Sequence, residues 1–306
     1  MKRRILKNQF LFFLCIAAAV LWAGCSINQM AMRMSPEAVG PSIPKVIQKN
    51  EARLAKKPDD QALILETGSL YVMYANAFVQ GPAEFLPPLQ YQERIDALEE
   101  AQKLYLRGAD ILYDGLNRKY PGFAEVSSAN NTLDPYLAKM EKDDVPNLYW
   151  VSAGYLSAYS LDPFNLKLGR RAPDLMFYID RAYALDPDFN SGALDDFYVL
   201  ALSSLPEPLG GDKTRVDTHF KRALEKAGGK LAGPYVSYAQ SVSIPNQDYP
   251  GFKKYLEAAL AINSKKNTSN RLVNTISQRK ARSLLDNALD YFIDLEEFDS
   301  EDGNAD

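Results

Sequence analysis

One spaced element recurs along this chain and constrains its fold more than any other feature. It is a large aromatic or aliphatic residue, an alanine three positions on, and a helix stop five positions beyond that. It occurs as Ile179, Ala182 and Pro187, again as Phe220, Ala223 and Gly228, and again as Tyr255, Ala258 and Asn263. A companion mark precedes these copies: Trp150 with Gly154, Ile64 with Gly68 and Tyr71, and a weaker Tyr235 with Ala239. Small residues at fixed spacing let paired helices approach closely, and the large ones fill the space between successive pairs.

Helical periodicity surrounds these marks. Ile95, Leu98, Ala101, Leu104, Tyr105, Gly108, Ile111 and Leu112 recur at three- and four-residue spacing, and so do Ala281, Leu284, Leu285, Ala288 and Phe292. Alternating strand patterns are scarce, so the fold class is all-α. The copies lie roughly 40 residues apart, longer than the usual 34 of tetratricopeptide repeats. An insertion such as 205–212 (LPEPLGGD) accounts for the excess. The reading is a degenerate tetratricopeptide-repeat helix-pair solenoid over 58–293. Helix pairs are expected near 61–116, 146–186, 191–227 and 233–262, with a closing C-terminal helix at 270–293.

Residues 1–7 are basic and residues 10–22 are continuously apolar. That run is shorter than the roughly 20 residues that span a bilayer. A basic head, a short apolar stretch and small residues Ala23 and Gly24 make a secretory signal over 1–24. Ending on Cys25, the segment resembles a lipoprotein signal, although Trp22 stands where such signals prefer leucine. Cys25 is then the lipidation site, and Ser26 after it favours the inner leaflet of the outer membrane. Residues 25–57 read as a tether and first helix, with Pro36, Gly40, Pro41 and Pro44 arguing against regular structure before about Val46. The acidic stretch 294–306 reads as a disordered tail.

Charge and chemistry exclude several classes. The chain carries net −4, and residues 1–24 hold four basic side chains and no acid, so the remainder is more acidic still. No basic footprint for nucleic acid exists. Cys15 and Cys25 are the only cysteines, which leaves the body without a thiol nucleophile or thiolate metal site. His219 is the only histidine, and its setting in VDTHFKRALEK suggests a surface or capping role rather than catalysis. Gly210-Gly211 and Gly228-Gly229 read as a turn and a helix end. Adjacent acids such as Asp143-Asp144 and Asp195-Asp196 do not share a helix face. No enzyme, cofactor or metal site is expected.

At this point a family resemblance emerges. Residues 147–162 (NLYWVSAGYLSAYSLD), 179–194 (IDRAYALDPDFNSGAL), 205–212 and 274–285 together resemble the TatT family, the tetratricopeptide component associated with tripartite ATP-independent periplasmic (TRAP) transporters. The resemblance implies a periplasmic lipoprotein that assembles as a homotrimer, binds the system's periplasmic substrate-binding protein, and passes a small or hydrophobic ligand through a pore or groove. Ligand- or pore-lining residues are then Asn147, Tyr149, Trp150 and Tyr155, with Arg271, Asn274 and Arg279 on the last helix. Tyr155 stands where the family often has tryptophan, and Asp195-Asp196 replaces a more neutral stretch, altering a ligand surface more than the fold. The alternative is a general tetratricopeptide adaptor in cell-envelope assembly.

Overall fold

The computed structural model describes residues 32–126, 132–266 and 268–293. The signal segment, Cys25 and the acidic tail lie outside the described residues. Helices carry all the regular structure among them, and no strand is present. The principal ones are α1 (Ile43–Leu54), α2 (Gln61–Tyr74), α3 (Tyr91–Lys119), α4 (Val145–Leu161), α5 (Ala172–Leu185), α6 (Ala193–Ser204), α7 (Lys213–Ala227), α8 (Gly233–Tyr238), α9 (Tyr249–Ala261) and α10 (Arg271–Asp286). The chain is therefore all-α.

Local chemistry sets the helix ends. Asp60 caps α2 by accepting from Leu63 N, Asp212 caps α7 from Thr214 N, and Asp248 caps α9 from Gly251 N. Gly228 ends α7 at φ 55, a left-handed backbone that glycine adopts without a Cβ clash. The chain is helical earlier than expected: a turn at Pro36–Val39 and a 3-10 turn at Gly40–Ser42 lead directly into α1. The physical reason is position. Pro36, Pro41 and Pro44 each occupy a first-turn site, where the missing N–H is not needed. At the other end α10 stops at Asp286, and a 3-10 turn at Ala288–Asp290 replaces the expected last helical turns.

The helices pack as antiparallel neighbours. Gln61 on α2 reaches the Gly115 carbonyl on α3, while Tyr105 on α3 reaches Gln80 beyond the end of α2. Gly68 and Gly108 set the spacing between α2 and α3. A Cβ on Gly68 would lie 2.8 Å from the Gly108 carbonyl oxygen, and one on Gly108 would lie 2.7 Å from that of Gly68. Gly154 of α4 meets Ala109 and Val72 in the same way. Two helices, α2 and α8, run on into π-helical segments at Ala75–Gln80 and Ala239–Ser243.

The repeated marks are core. Ile179, Ala182, Phe220 and Ala223 are buried, although in the third copy Ala259 rather than Ala258 is the buried alanine. One large cluster runs from Val72 to Phe220, and a second gathers Ala232, Phe252, Ala281 and Phe292. A third joins the two ends of the body: Val39, Ile43 and Ile47 pack with Tyr71 and with Leu272 of α10. Ion pairs of Arg279 with Glu37 and of Lys280 with Glu84 lie along the same seam. The first and last described helices thus share one buried cluster.

His219 corrects the surface expectation. It is 4% exposed, its ring stacks on Tyr198 at 4.3 Å, and its Nδ1 lies 2.7 Å from Asp195 Oδ1. The polar-looking face of α7 is the one that packs on α6, and Asp195 gives the buried imidazole its partner.

Candidate functional site

Helix α4 is apolar on nearly every side, so packing rather than periodicity decides which residues face inward. Leu148, Val151, Ser152 and Tyr155 are buried against α3 and α5. Tyr155 donates its hydroxyl to Asp110 of α3 at 2.6 Å, and the Arg171 guanidinium lies 4.5 Å from its ring centre. Burial and the Asp110 hydrogen bond together push its hydroxyl far above the usual tyrosine range. Tyr155 is thereby a pillar between helices.

Tyr149 and Trp150 take another direction. Both are half-buried, and their rings meet edge to face at 5.1 Å. Tyr149 also contacts Phe189 at 5.4 Å and Phe197 of α6 at 6.1 Å, which completes an aromatic wall. Burial raises the Tyr149 hydroxyl well above its ordinary value, and the neighbouring charge of Asp196 adds to the shift.

Asp196 is the residue that sequence reasoning placed only loosely. It follows Asp195 on α6 but faces the opposite way, toward Ser237 and Gly233 of α8. Its Oδ1 is buried without a hydrogen-bond partner among the described residues. Burial pushes its carboxyl up to about 6, against the opposing pull of the Ser237 hydroxyl. Asn147 Oδ1 on α4 and Ser243 Oγ in the second π segment are likewise buried and unpartnered. Buried polar atoms in this condition are costly and are the kind of group that a bound ligand satisfies. The clue available in the sequence was the acidic pair itself, whose two members serve opposite purposes.

The three residues on α10 do not converge on this wall. Asn274 is fully buried and bridges a loop, accepting from Ala232 N at 2.9 Å and donating to the Lys230 carbonyl at 2.8 Å. Arg279 is exposed and pairs with Glu37, and Arg271 is exposed at the start of the helix.

Fold and site together define an all-helical protein in which an aromatic wall stands beside a buried carboxyl oxygen without a partner among the described residues. The chain belongs to the TRAP transporter T-component family, whose family model matches residues 34–292. It is 34% identical over 260 residues to an uncharacterized protein of Treponema pallidum (strain Nichols), a match that covers 84% of this chain and 80% of the relative. Membership associates the chain with a TRAP transport system of the cell envelope, as a transport accessory.

Proposed function

We propose that this protein is a periplasmic lipoprotein scaffold that holds the substrate-binding protein of its TRAP system and passes a small apolar ligand along its inward face. Cys25 is the acylated anchor, in the inner leaflet of the outer membrane, and the assembly is a homotrimer. The helix pairs are read as degenerate tetratricopeptide repeats in a solenoid. The observation that carries the ligand reading is the unpartnered Oδ1 of Asp196 beside the wall of Tyr149, Trp150, Phe189 and Phe197. An apolar body lies against the rings, and a single polar group of the ligand meets Asp196 and Asn147, the usual division of labour in a small-molecule site. Tyr155 and Asn274 brace neighbouring helices, and Arg271 and Arg279 lie away from this wall.

Native mass spectrometry of the mature protein mixed with the substrate-binding protein of the same transport system tests the reading. It predicts a trimer, a complex at micromolar concentration and a retained ligand that Tyr149→Ala releases. A monomer that forms no complex overturns it. Mass analysis of the N-terminal peptide checks the anchor separately, with an acylated Cys25 expected and an intact Met1 start refuting it.

A further inference from the structure

A second site lies on a different side of α6. A cleft of about 420 Å³ opens between α5, α6 and α7, lined by Asp180, Tyr183, Tyr198, Arg215, His219 and Arg222 among others. That size falls in the lower part of the range of small-ligand pockets, about 300–1,000 Å³. None of these residues belongs to the Tyr149–Asp196 wall.

The cleft is built on a relay of buried groups. Asp195 is fully buried, and Lys226 Nζ lies 2.8 Å from its Oδ2. Hydrogen bonds from His219 and Lys226 hold its carboxyl below the usual aspartate value in spite of burial. His219 bridges the buried acid and the cleft: its Nδ1 lies 2.7 Å from Asp195 Oδ1 and its Nε2 3.4 Å from Arg215 Nη2. The Arg215 guanidinium also lies 5.4 Å from the Tyr198 ring centre. Tyr183 serves the second arginine: its hydroxyl lies 3.2 Å from Asp195 Oδ1 and accepts from Arg222 Nη1 at 3.4 Å.

Arg215, His219 and Arg222 follow one another at four- and three-residue spacing, so they form one face of α7. Neither guanidinium has a carboxylate within ion-pair distance among the described residues. The Thr214 hydrogen bond and the charge of Arg215 together lower the carboxyl of Asp212, which lies outside the lining. Asp180, the acid of the lining, accepts from the Tyr198 hydroxyl. Arg215, Arg222 and Asp180 together sum to one positive charge, which suits a monoanion better than a dianion.

We propose that this cleft binds a small organic monocarboxylate. Its carboxylate forks onto Arg215 and Arg222, the pairing that guanidinium geometry favours, and its apolar body lies along Tyr183 over the His219 floor. The proposal stands apart from the scaffold reading and survives if that reading fails.

His219 provides the test, because it is the only histidine in the chain. Untagged protein with isotope-labelled histidine gives one imidazole signal in NMR. Titration with phenylacetate should shift it saturably, with half-saturation below about 1 mM. Phenylethanol, which lacks the charge, should leave it in place, and inorganic phosphate should bind more weakly than phenylacetate. Arg215→Gln and Arg222→Gln should each weaken binding roughly tenfold or more, while Lys221→Gln on the same helix keeps it. Either arginine variant suffices if the other fails to fold. An absent or non-saturable shift, an equal response to phenylethanol, phosphate binding as tight as phenylacetate, or full affinity in the folded arginine variants overturns the proposal.

Discussion

Asp195 and Asp196 are chain neighbours with opposite electrostatics, and stability should depend on pH in opposite senses through them. For Asp195 burial is the largest influence and raises the carboxyl, but hydrogen bonds from His219 and Lys226 outweigh it and hold the group below its ordinary 3.8. It therefore contributes stability above that value, and the contribution is lost as pH falls through the depressed one. Asp195→Ala should lower unfolding free energy by roughly 3–5 kcal/mol in urea titrations near neutral pH, because it strands His219 and Lys226. Asp196 has a carboxyl raised to about 6 by burial. Its contribution is fully present below 3.8 and is lost as pH rises through about 6. Asp196→Asn should thus stabilise the protein by up to about 3 kcal/mol above that pH, with the gap closing in acid. Urea midpoints measured across this range check both signs. The acidic pair was legible in the sequence as two different faces, but its division into a paired and an unpaired carboxyl was not. That division depends on Lys226 and Ser237, which lie 31 and 41 residues away along the chain.

Helix positions were readable because Gly68, Ala182 and Ala223 mark where another helix comes close. What a single residue meets there was not readable. Gly108 appears in the sequence as one member of a periodic stripe, yet in the fold it lies against Gly68 backbone to backbone. Gly108→Ala should therefore force α2 and α3 apart and cost about 1–3 kcal/mol by calorimetry, even though alanine is the better helix former. An unchanged melting temperature would show that the contact relaxes freely. Tyr149 and Tyr155 illustrate the other limit. They lie on one helix that is apolar on nearly all sides, so periodicity cannot sort them, and only the placement of α3 and α6 makes one a wall and the other a pillar. The prolines before α1 misled for a comparable reason: each was read as a breaker, and each occupies a helical first turn.

At the scale of the molecule, the closing helix was legible in the sequence but its landing place was not. Leu272 joins Val39, Ile43 and Ile47 in one buried cluster across more than two hundred residues, a distance no local pattern encodes. A row of helices open at both ends loosens from them, whereas here the first and last described helices share one buried cluster. Leu272→Ala should cost about 2–5 kcal/mol. Hydrogen exchange should then accelerate together in Ile43–Leu54 and Arg271–Asp286. Faster exchange in α10 alone would show that the seam does not couple them. The seam also lies where the chain enters the body. A pull applied at Met32 arrives on the cluster of Val39, Ile43 and Leu272 and has to slide the Pro36–Val39 turn across α10. Such shear loads many side chains at once, so a pull on the first described residues meets the body at a joint held from two directions.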